Sequence, residues 1–178
     1  GVPVPAFAAV RAAYRPSAAF LVDRQGEVLE SVRVDFGVRR LQWVPLQAVS
    51  PALLAAIVAG EDRRFYEHHG IDWRAVFAAA HDQLIARRAR GASTLSMQLA
   101  TLLQGQNRGG GRLRNLARKW HQARYAAALE SRWSKPQILE AYLNLVQFRG
   151  ELQGIGAAAR QLAGRDPSAL TAGEGAIL

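Results

Sequence analysis

Residues 60–70 read Gly60-Glu61-Asp62-Arg63-Arg64-Phe65-Tyr66-Glu67-His68-His69-Gly70, a run of proton-carrying and charged side chains directly after the apolar stretch Leu53 to Val58. A carboxylate at the edge of an apolar helix, half covered by it and facing arginines, is a candidate general base. The same two acids also read as an ordinary acidic turn balanced by Arg63 and Arg64. His68-His69 lacks a further His, Cys or acid at ligand spacing, so no zinc site is read there.

Working outward, Ser50 can cap a helix and Pro51 suits its first position, which makes the stretch before Glu61 helical. Earlier still, Phe20-Leu21-Val22 and Val28 to Val34 read as strands joined through Asp23-Arg24-Gln25-Gly26, where glycine permits positive φ. That hairpin is the one clear β signal. Downstream, a helix is expected from Asp72 to about Arg88, with Val76, Phe77, Ala80 and Leu84 on one face. Ser93 can cap the next, which carries Leu95, Leu99, Leu102 and Leu103. Gly105 to Gly111 is too rich in glycine for a helix interior and reads as a mobile loop.

Beyond that loop, Leu113, Leu116, Trp120, Ala123 and Ala127 recur at steps of three and four, the apolar stripe of an amphipathic helix. Arg114, Arg118 and Gln122 stack along another side. Ser134 with Gln137, and Thr171 with Glu174, form capping boxes. The first opens a helix with Ile138, Leu139, Tyr142 and Leu143. A last full helix is expected after Gly156, ending by Gly164. The expected fold is mainly α with a small N-terminal β-hairpin, residues 1–17 forming a lead-in or linker and 18–178 the domain.

The chain has 178 residues, 49% hydrophobic and 21% charged, the composition of a core-forming globular protein. Its 23 basic residues, 21 of them Arg, against 14 acids give a net charge of +9. An anionic partner follows from that balance: a polyanion, a phosphate-bearing ligand or a membrane surface. The absence of cysteine excludes disulfides, thiolate zinc sites and cysteine nucleophiles. Between Gln83 and Leu129 there is no acid, while Arg87, Arg88, Arg90, Arg108, Arg112, Arg114, Arg118, Lys119 and Arg124 all fall there. This window reads either as a solvated basic face or as an anion site. No apolar run approaches the roughly 18 to 20 residues of a membrane span. The opening Gly1-Val2-Pro3-Val4 and the capping box so near Leu178 suggest a region cut from a longer precursor.

Glu61-Asp62, Phe65, His68 and Gly70 together resemble the first signature of the family-51 glycosyltransferases, the peptidoglycan polymerases of class A penicillin-binding proteins and monofunctional transglycosylases. Such a match has a chance on the order of one in a million per start site at average residue usage. Gly91, Ser93, Thr94 and Gln98 resemble the second signature, and Arg114 with Arg118-Lys119 the third. Ser134-Lys135, Ile138-Leu139-Glu140 and Tyr142-Leu143-Asn144 resemble the fourth. Gly154, Gly156-Ala157-Ala158 and the closing Thr171 to Leu178 resemble the fifth.

The resemblance implies a lysozyme-like helical fold of two lobes with a long cleft, acting on lipid II and the growing glycan strand at the outer, periplasmic face of the cytoplasmic membrane. It implies release of undecaprenyl pyrophosphate with inversion at the anomeric carbon. The membrane anchor would lie outside this chain, a transpeptidase domain would follow, and cell-wall synthesis proteins would be neighbours. Glu61 matches the general base. Asp62, Phe65, His68, Ser93, Thr94, Gln98, Arg114, Arg118, Lys119, Gln122 and Lys135 match substrate-binding positions. Nucleic acid is not expected as a partner.

Three departures accompany the match. The third signature usually ends in glutamate where this chain has Gln122, which would weaken any Mg²⁺ or Mn²⁺ cofactor held there; no protein metal ligand is assigned. Met97-Gln98 and then Thr101-Leu102 replace the usual Gln-Gln and Lys-Asn, removing one cation. The aromatic-Gly of the fifth signature becomes Ala163-Gly164. The first two resemble the penicillin-binding protein 1C branch. Two other readings stay open: a lysozyme-like lytic enzyme with one carboxylate, which leaves the basic window unexplained, and a non-catalytic basic helical module, in which Trp120, read above as core, and Trp133 would stack on bases.

Overall fold

The computed structural model describes residues 2–85, 93–105 and 112–175. In chain order they form α1 (Phe7–Ala13), β1 (Ala18–Val22), β2 (Val28–Arg33), α2 (Pro51–Glu61), α3 (Trp73–Ile85), α4 (Leu95–Gln104), α5 (Arg112–Glu130), α6 (Lys135–Leu145), α7 (Ile155–Ala158) and α8 (Ala172–Gly175). The protein is thus mainly helical with one small antiparallel hairpin. The chain divides into two compact units, Gly1–Phe7 with Ile57–Tyr142 and Ala8–Ala56 with Leu143–Leu178.

In the first unit α4 packs along α5, where Met97 meets Ala123 and Ala126 with Ile71 at the edge. Phe65, Leu95, Leu99, Leu129, Ile138 and Leu139 of the same unit are fully buried, each contributing about 1.5–3 kcal/mol of transfer free energy. Among the described side chains the buried positions of α5 are therefore Ala123, Tyr125, Ala126 and Leu129, Leu113 and Leu116 lying outside them, and the sequence expectation for Trp120 and Ala127 is corrected. Ala127 faces outward and Trp120 is 61% exposed. Small side chains let two helices approach, and α4 takes the alanine side of α5. Trp133 is buried instead, edge-on to Phe7 at 5.3 Å, with its Nε1 donating to the Pro5 carbonyl at 3.0 Å.

Helix starts follow the local rules. Asp72 accepts from the Ala75 N–H at 2.9 Å and so caps α3. On α3, however, Phe77 is not a core residue: it is 70% exposed beside the exposed Trp73. The cap of α4 is Thr94 rather than Ser93, its hydroxyl accepting from Met97 N–H and donating to the Gly70 carbonyl at 2.7 Å. Ser134 and Gln137 make the reciprocal bonds of a capping box before α6. Gly70 has φ +84, and a Cβ there would lie 2.7 Å from the Ala127 nitrogen. Only glycine lets the end of the 60–70 segment lie against α5.

In the second unit β1 and β2 pair from Ala18 opposite Arg33, with an irregularity between Leu21 and Val22. Asp23 holds the turn by accepting from the Gln25 and Glu27 N–H groups, both at 2.8 Å, and Gly26 takes φ +87. Asn144, buried at the end of α6, accepts from Val44 N–H and donates to Val44 C=O, each at 2.8 Å. The side-chain amide thereby imitates a strand partner. The helix expected to end by Gly164 does end there, but it passes from α7 into a π-helical turn over Ala159–Ala163, in which Gly164, at φ +65, donates its N–H to the Ala159 carbonyl. Thr171 and Glu174 form the expected capping box. Among the described residues no helix is long and apolar enough to cross a membrane.

Candidate functional site

Glu61 is the last residue of α2, and its side chain is exposed. One carboxylate oxygen, Oε2, accepts from the Gln98 side-chain Nε2 at 2.8 Å. Gln98 stands one turn into α4, whose start is tied to the 60–70 segment by the Thr94 cap. The Gln98 Oε1 in turn accepts from the hydroxyl of Tyr142 on α6 at 3.2 Å. Burial pushes the Tyr142 phenol well above its ordinary range, and the negative charge of Glu61 adds to the shift.

The residue after Glu61 faces the interior. Asp62 is buried, both its oxygens lie 3.0 Å from Nε2 of His68, and Oδ2 also accepts from the Leu95 backbone N–H at 2.9 Å. His68 is buried as well, with Nδ1 3.8 Å from Oε1 of Glu130 and no hydrogen-bond partner on that nitrogen. Glu130 accepts from Ser96 and from Lys135, whose Nζ also donates to the His68 carbonyl at 2.7 Å and sits 4.5 Å above the Phe65 ring. Asp62, Phe65, His68 and Lys135 thus form one internal network that carries Glu61 on its outer end.

A second pair braces the same segment. Arg64 donates through Nε and Nη2 to the two oxygens of Asp72, at 2.9 and 2.7 Å. Burial alone would raise the Asp72 carboxyl, but the Ala75 N–H bond and the Arg64 guanidinium outweigh it and hold the group below its usual range.

The remaining sequence-derived candidates stand apart from this network. Ser93 is half-buried, and the Thr94 hydroxyl is engaged on both sides within the fold. Arg118, Lys119 and Gln122 lie on α5, Arg118 and Gln122 half-buried and Lys119 exposed, and none makes an ion pair or hydrogen bond among the described residues. Arg114 belongs to α5, but its side chain lies outside the described residues, as do Arg87, Arg88, Arg90 and Arg108 and most of the expected loop at 105–111.

Glu130 escaped sequence reasoning. Its one signal is that it is the first acid after a long basic window, which says nothing of burial. No group of three or more His, Cys, Asp or Glu side chains is gathered to hold a metal ion among the described residues. Asp62 and Glu130 are already engaged by His68 and Lys135, so these donors do not fit a resident divalent cation.

Comparison with known proteins places the chain in a family. A family described as transglycosylase matches residues 25–178. The biosynthetic peptidoglycan transglycosylase of Rhodospirillum centenum is 42% identical over 155 residues, covering 86% of this chain and 65% of that protein. Penicillin-binding protein 2D of Bacillus subtilis is 38% identical over 145 residues, 81% of this chain and 20% of its own length. The biosynthetic peptidoglycan transglycosylase of Aeromonas hydrophila is 40% identical over 137 residues, 76% of this chain and 56% of that protein. The chain therefore spans less than two thirds of the length of each of these relatives. Because the match runs from the hairpin turn at Gln25 to Leu178 and takes in the whole Glu61 network, the chain belongs to the transglycosylase family, glycosyltransferase family 51.

Proposed function

We propose that this chain is a peptidoglycan glycosyltransferase domain that polymerises lipid II at a membrane surface outside the cytoplasm, with Glu61 as its general base. The observation that carries the reading is a solvent-open carboxylate whose backbone is anchored through Asp62 and whose Oε2 is held by Gln98. A base in that setting is oriented but still accessible.

In the reaction, Glu61 Oε1 takes the proton of the acceptor sugar's 4-hydroxyl as its oxygen bonds to C1 of the donor. The bond from C1 to the pyrophosphate oxygen breaks on the opposite face, and its electron pair leaves with undecaprenyl pyrophosphate. Negative charge accumulates on that leaving group, so cations matter most there. Arg118 and Lys119, with no internal ion pair among the described residues, supply such cations. Ser93 is the hydroxyl free to donate to a sugar or phosphate oxygen, since that of Thr94 is engaged in its cap. Asp62, His68 and Lys135 act by fixing the segment rather than by touching substrate.

Glu61→Gln tests this reading. The fold should persist, because the side chain is exposed, while lipid II polymerisation falls at least ~10²-fold. Near-normal polymerisation by the variant, or shortening of preformed glycan by the unaltered chain with lipid II untouched, would replace it with another.

A further inference from the structure

Three side chains from three helices meet in a line: Tyr142 on α6, Gln98 on α4 and Glu61 at the end of α2. An ionised carboxylate can only accept, so the amide face turned to Glu61 must be the nitrogen. The amide oxygen is then left facing Tyr142, and an oxygen can only accept, so the phenol must donate. The line has a single polarity from Tyr142 to Glu61. Burial of the phenol and the charge of Glu61 both favour its protonated form, which keeps the donor in place.

We propose that Tyr142 and Gln98 are positioning residues that hold Glu61 in one orientation, engaging Oε2 and leaving Oε1 open toward the acceptor hydroxyl. The inference rests on the reading of Glu61 as base and assigns Gln98 to the carboxylate rather than to substrate. Among the described residues Oε1 of Glu61 accepts no hydrogen bond. A Glu side chain without this tether would sample several rotamers, and a fixed one spends more of its time aligned for proton transfer. The geometry also explains why glutamine suits position 98. A carboxylate there would repel Glu61, and an apolar side chain would leave the Tyr142 hydroxyl without its acceptor.

The test measures kcat and KM for lipid II polymerisation in Gln98→Met and Tyr142→Phe, with Glu61→Gln as the reference. An untethered base is aligned for proton transfer less of the time, while substrate binding is untouched. Gln98→Met should therefore lower kcat by ~10-fold and keep KM within about twofold. Tyr142→Phe, which keeps the buried ring, should lower kcat by less at unchanged KM. Added to Glu61→Gln, where no base remains to be oriented, Gln98→Met should cause no further loss, and Tyr142→Phe decides the role should Gln98→Met fail to fold. A rise in KM at constant kcat, or an unchanged kcat in the folded variants, would overturn the positioning role. Near-normal polymerisation by Glu61→Gln would instead remove the base reading.

Discussion

Nε2 of His68 lies 3.0 Å from both oxygens of Asp62, and both side chains are buried. This contact, with the Leu95 N–H on Oδ2, ties the residue after Glu61 to the first residue of α4. Removing the carboxylate strands a buried imidazole and a buried backbone donor. Asp62→Ala should cost about 3–5 kcal/mol of unfolding free energy by analogy with other broken buried pairs, and Asp62→Asn less, because one oxygen acceptor remains. Denaturant unfolding followed by circular dichroism measures both; a change below about 1 kcal/mol for Asp62→Ala would contradict the anchoring role.

Lys135 and Glu130 form the second half of that network, with Nζ 2.7 Å from Oε2. Lys135→Met leaves the Glu130 carboxylate buried with Ser96 as its remaining close donor, and should destabilise by about 3–5 kcal/mol. Adding Glu130→Gln removes the stranded charge and should recover at least about half of that loss. Were Lys135 a substrate contact instead, the single variant would raise KM with little effect on stability.

The Arg64–Asp72 pair carries a pH signature. Asp72 is held below its usual range in the folded state, so its contribution to stability is complete above about pH 4, the ordinary carboxylate range. It is lost as pH falls through the depressed folded value. Asp72→Asn should lower the melting temperature near neutrality and narrow its gap to the unaltered protein as the pH falls toward about 3. A constant gap from pH 7 to 3 would show that the charge is not what stabilises.

Gln122 offers an amide where the family resemblance implies glutamate, and an amide is a poor Mg²⁺ ligand. Polymerisation by this chain should tolerate EDTA, and Gln122→Glu should gain a response to added Mg²⁺ or Mn²⁺. Strict dependence of the unaltered chain on divalent metal would assign the ion to other ligands, the substrate pyrophosphate first among them.

Features decided within three or four residues were readable in the sequence. The hairpin turn at Asp23 to Gly26, the capping boxes at Ser134 and Thr171, and the helix leading to Glu61 all depend on neighbours along the chain. Local hydrogen bonding and φ preference set them before any packing occurs. The signature around Glu61 was readable for a similar reason, since its spacing is carried by a single short segment.

Tertiary structure alone decided which way these side chains face and what they touch. Gln98 meets Glu61 across 37 residues, Tyr142 meets Gln98 across 44, and Lys135 meets the His68 carbonyl across 67. No periodicity encodes such pairings, because they depend on which face of α4 and α6 is buried. The same cause exposed Trp120 and buried the alanine side of α5: hydrophobicity favours burying the indole, but close approach of α4 requires small side chains. Sequence names the carboxylate at position 61, and packing of α4 and α6 supplies the hydrogen-bonded support that orients it.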